Sequence, residues 1–79
     1  MNLSKHKKLF NAMYETLHKL EEASHERLYV HTNISGYMYL LSTSGMIIEQ
    51  APDVTTLHIR MMNILRTYEN QTKQEGLSK

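Results

Sequence analysis

The chain of 79 residues has no cysteine and no tryptophan, one proline and three glycines. Without thiols it forms no disulfide, and the thiolate zinc sites that staple many small domains are excluded. Its longest unbroken apolar stretch, residues 37–41, is five residues, against the roughly 20 that a membrane-crossing helix needs. An excess of one charge sign is missing as well: nine Lys and Arg stand against eight Asp and Glu, a net charge of +1. Nucleic-acid binders usually carry a larger basic excess or a basic stripe. The N-terminus, Met1-Asn2-Leu3-Ser4-Lys5-His6-Lys7-Lys8, has no apolar run behind its charges. That argues against a secretory signal and, with the absence of cysteine, predicts a cytoplasmic protein.

What remains is enough apolar material to fold, 41% of residues. A domain this short buries only about 60–65% of the surface its unfolded chain exposes. Its stability therefore rests on a well-packed core or on self-association.

Apolar spacing defines the elements. Phe10, Met13, Leu17 and Leu20 recur at three, four and three, with Leu9 and Tyr14 beside them. This stripe predicts a helix over 4–23, with Ser4 as its N-cap. Residues 27–32, 37–42 and 46–50 alternate and are rich in aromatic and branched side chains, the pattern of strands. Between them lie two short turns, 33–36 and 43–45, each with a glycine free to take positive φ. Pro52 ends the third strand, and Asp53 caps a second helix whose stripe is Val54, Leu57, Met61, Ile64, Leu65 and Tyr68. We expect a single α+β domain over 1–70 and a disordered polar tail over 71–79. The expected architecture is a two-layer α-β-β-β-α sandwich, a three-stranded antiparallel meander with both helices on one face.

Alternation divides the strands into two faces. Leu28, Val30, Thr32, Met38, Leu40, Met46 and Ile48 form an aliphatic set that should meet the helices. Tyr29, His31, Tyr37, Tyr39, Leu41, Ile47 and Glu49 form the other. Tyrosines offer large contact area with a polar tip and lose little rotamer entropy on binding. Tyr29, His31, Tyr37, Tyr39 and Leu41 are therefore interface candidates. Ile59 and Met62, which fall off the main stripe of the second helix, are candidates too, against an alternative in which they widen the core. The competing account of the tyrosines is cross-strand pairing on a wet sheet face.

Catalytic patterns are missing. No Gly-x-Ser-x-Gly elbow or Gly-rich phosphate loop occurs, and the adjacent Glu21 and Glu22 point apart on a helix. His6, His18, His25, His31 and His58 show no metal-ligand spacing and read as surface histidines. We expect no enzyme activity, no cofactor and no metal. Lys5, Lys7 and Lys8 form the one dense basic cluster, the basis of an alternative in which nucleic acid is bound with help from the tyrosines. The helix, three strands, helix order resembles the layout of double-stranded RNA-binding domains. That family places basic residues at the start of its last helix; here the position reads Asp53-Val54-Thr55-Thr56, so the resemblance implies no function for this chain. The sequence thus predicts a small regulatory or inhibitor-type protein that works by protein–protein contact, as a homodimer.

Overall fold

A computed structural model describes residues 2–77, with side chains for residues 7–71. In chain order the elements are α1 (Asn2–Ser24), β1 (Leu28–Thr32), β2 (Met38–Ser42), β3 (Ile47–Ala51) and α2 (Val54–Leu77). The strands form one antiparallel sheet in the order β1-β2-β3, and both helices pack on one face of it. No helix among the described residues is long and apolar enough to cross a membrane.

Each junction has a local cause. α1 closes where His25 takes φ 59°, the left-handed conformation that ends many helices. In the β1–β2 loop Asn33 Oδ1 accepts from the N–H of Ser35 at 3.0 Å and of Tyr37 at 2.9 Å. Gly36 then adopts φ 91°. The β2–β3 loop repeats the design with serine: Met46 N–H donates to Ser42 Oγ at 3.2 Å and Gly45 adopts φ 87°. Three-residue hairpin loops of this kind need a left-handed residue at the third position, and glycine supplies it without strain. Asp53 caps α2 through the Thr56 N–H, 2.7 Å from Oδ1.

The core lies between sheet and helices. Met13, Leu17 and Leu20 from α1 meet Leu57 and Met61 from α2 over Leu28, Met38, Leu40 and Ala51 of the sheet. Phe10, Val30, Ile64, Leu65 and Tyr68 pack around this centre. Among the described residues one polar side chain is buried with them. Thr16 Oγ contacts the Ala12 carbonyl at 3.2 Å and His58 Nε2 at 2.8 Å, joining α1 to α2.

The expected boundaries shift at three places. α1 begins two residues before Ser4, whose side chain lies outside the described residues, as do those of Lys5 and His6. α2 continues as helix to Leu77, past the point where its apolar stripe stops, so the backbone of 71–77 is helical where a tail is expected; residues 78–79 lie outside the described ones. The third correction concerns β3. Leu40 pairs with Glu49 but Leu41 pairs with Ile47, so Ile48 is an extra residue, a β-bulge. Strict alternation places Glu49 beside Ile47. The bulge moves Glu49 and Ala51 to the helix-covered side, opposite Leu40 and Met38, and leaves Gln50 opposite Tyr39. Met46 precedes the strand and is 66% exposed, so it contributes nothing to the aliphatic face. His58 is likewise no surface histidine: it is half-buried in the helix interface.

Candidate functional site

With both helices on one side, the other side of the sheet is open. Pairing places Tyr29, Leu41 and Ile47 in one row across it, and His31, Tyr39 and Gln50 in the next. Tyr37 extends the second row, its ring centroid 5.4 Å from that of Tyr39 with the planes tilted by 47°. The His31 and Tyr39 rings lie 6.3 Å apart. Asn33 Nδ2 contacts the Tyr39 hydroxyl at 3.5 Å, so one tyrosine tip is held by the adjoining loop. Tyr29 and Ile47, at the two edges, are 51% and 53% exposed; Tyr37, Tyr39 and Leu41 are half-buried by their neighbours. The bulge keeps carboxylates off this platform, because it turns Glu49 to the other side.

Five of the seven interface candidates therefore share one surface: Tyr29, His31, Tyr37, Tyr39 and Leu41. Ile59 and Met62 are exposed on α2, in the helix layer, and do not join them. Ile47 and Gln50 complete the platform. Alternation identifies Ile47, but Gln50 emerges only from the bulge. Lys7 and Lys8 are exposed on the first turns of α1, while Lys5 lies outside the described side chains.

The two edges of the sheet differ. At β3 the bulge breaks the strand, Pro52 follows it, and the Arg60 guanidinium donates to the Gln50 carbonyl and lies 3.8 Å from the Glu49 carboxylate. At β1 there is a single contact of this kind among the described residues: the Leu28 N–H donates to Glu21 Oε2 at 3.0 Å. Beside it an open groove of about 770 Å³ runs between α1 and β1, lined by Tyr14, His18, Glu21, His25, Arg27 and Tyr29 among others.

That Leu28 N–H is the main reason the Glu21 carboxyl sits below its ordinary pKa; partial burial opposes the shift, and His18, 3.2 Å away, and Arg27 add to it. Asp53 is lowered by its bond to the Thr56 N–H. A carboxylate whose folded pKa is depressed contributes stability that is complete above its unfolded pKa and is lost as pH falls through the folded one. The contribution of these two carboxylates should therefore be complete above about pH 5 and decline below about pH 4. Glu21→Gln should flatten part of that acid limb in urea titrations run at successive pH values. An unchanged acid limb in Glu21→Gln would show that Glu21 is not one of the groups responsible.

Comparison with known proteins adds no relative: no family model matches the chain, and no curated protein or solved structure does.

Proposed function

We propose that this chain is a small non-enzymatic regulator or inhibitor, cytoplasmic and homodimeric, that acts by protein–protein contact through the open face of its sheet. One observation carries the proposal: an uncharged platform of Tyr29, Tyr37, Tyr39, Leu41 and Ile47 faces away from both helices. Rigid aromatic side chains with polar tips are the residues that anchor protein interfaces. The lack of a nucleophile elbow or phosphate loop in the sequence favours occlusion of a partner over chemistry. The nucleic-acid alternative asks for basic groups among the tyrosines, and β1, β2 and β3 contain no Lys or Arg.

Interface tyrosines typically cost about 1–4 kcal/mol of binding when cut to alanine. Tyr37→Ala combined with Tyr39→Ala should leave the circular dichroism spectrum intact, because both lie outside the core, and should weaken association. Sedimentation and partner pull-down measure it. If both are unchanged in the double variant, this face is not the contact surface.

A further inference from the structure

We infer that the homodimer forms by antiparallel pairing of β1 with β1 of a second copy, centred on His31, which fuses two sheets into one of six strands. The Asn33 N–H donates to the Tyr37 carbonyl at 2.9 Å. In an antiparallel ladder bonded and non-bonded pairs alternate, so the bonded pairs within the hairpin are His31 with Tyr39 and Tyr29 with Leu41. Leu28, Val30 and Thr32 turn their N–H and C=O groups outward. Glu21 takes the Leu28 N–H, which confirms the direction, and no other outward backbone group of these three is bonded among the described residues.

The free groups are self-complementary in one register. With His31 on the two-fold axis, each Val30 N–H meets the other Thr32 C=O, and each Thr32 N–H meets the other Val30 C=O. Four hydrogen bonds form and the capped Leu28 N–H is not needed. Shifting the axis to Val30 or Tyr29 would bring that N–H against a partner carbonyl twice. β1 itself reads Leu-Tyr-Val-His-Thr and carries no fixed charge, and the Glu21 carboxylate at its Leu28 end lies outside the four bonds. Proteins usually blunt a bare edge with a charge, a proline or a bulge. β3 has all of these within reach, from Arg60, Pro52 and the bulge at Ile48, and β1 has none of them inside the strand.

Area points the same way. Three strands about 4.8 Å apart and five residues of about 3.3 Å each make a platform of only a few hundred Å². A standard interface takes about 800 Å² from each partner. Edge pairing sets two platforms side by side, with His31 of one copy opposite His31 of the other. This area argument rests on the contact face proposed above; the hydrogen-bond argument stands without it.

Thr32→Pro tests the edge, because the Thr32 N–H points outward and its loss leaves the hairpin ladder whole. Light scattering at submillimolar concentration should give twice the monomer mass for the natural chain. For Thr32→Pro it should give the monomer mass, a dissociation constant raised at least about tenfold, with circular dichroism unchanged. The absence of cysteine allows a second test that does not depend on proline. His31→Cys should cross-link to itself under mild oxidation, and Tyr29→Cys should cross-link far less, since only position 31 faces its own counterpart across the axis. A monomeric natural chain, a dimer that survives Thr32→Pro, or a His31→Cys chain that cross-links no better than Tyr29→Cys overturns the inference. Loss of the dimer in Tyr37→Ala with Tyr39→Ala, but not in Thr32→Pro, would leave the contact face standing and remove the edge. The reverse pattern would do the opposite.

Discussion

Leu40→Ala is expected to cost about 2–5 kcal/mol, more than any other single truncation in β2. Leu40 is fully buried at the centre of the middle strand, under Leu57 and Met61 of α2, with Val30 and Glu49 on either side. Removing its side chain loses the transfer free energy of the missing methyl groups and leaves a cavity that a sheet flanked on both sides cannot close. A domain of this length has a total stability of only about 4–12 kcal/mol, so the loss is a large fraction. The thermal midpoint should fall by at least about 10 °C. Leu41→Ala is the control. Its side chain leaves the same strand towards the open face and is half-buried there, so its cost should be well under half as large. Equal costs at the two positions would show that the sheet does not have one covered and one open side, and the candidate surface would go with it.

Thr16→Val should destabilise by about 1–3 kcal/mol although the two side chains have nearly the same volume. Among the described residues Thr16 is the only polar residue buried in the core, and its hydroxyl bridges the helices, 2.8 Å from His58 Nε2. Valine cannot replace it, and the half-buried imidazole is left facing methyl groups. The useful measurement is a double-mutant cycle by urea unfolding, with His58→Leu as the second arm. Removing both partners together should cost less than the sum of the single changes, with a coupling of about 1 kcal/mol. Additive effects would mean that the contact contributes nothing to the helix pairing.

Much of the architecture was legible because it rests on local chemistry. Phe10, Met13, Leu17 and Leu20 sit at helical spacing, and all face the core as that spacing requires. Asn33 with Gly36, and Ser42 with Gly45, specify hairpin loops within four or five residues. Asp53 reaches an N–H only three residues away. The candidate surface was legible in part for the same reason, since Tyr29, Tyr37, Tyr39 and Leu41 follow simple alternation in strands without bulges.

Thr16 and His58 show the other kind of feature. Each lies on its helix's apolar stripe, Thr16 between Met13 and Leu20 and His58 between Val54 and Met61. That placement was the available signal, but their bond spans 42 residues of sequence. A polar residue on a stripe does not announce its partner.

The sequence by itself determined the number, order and kind of the elements, where each turn falls and which residues are fit for burial. Periodicity, capping and turn chemistry act over a few residues, and they need no knowledge of the rest of the chain. The amphipathic stripes and the aliphatic strand set also implied that both helices cover the same face. Only the tertiary structure decided that Ile48 is an extra residue which turns Glu49 inward and Gln50 outward. It also decided that Arg60 guards β3 while β1 stays bare. Those outcomes depend on register between strands and on helices meeting across the core, where one inserted residue reverses every side chain beyond it.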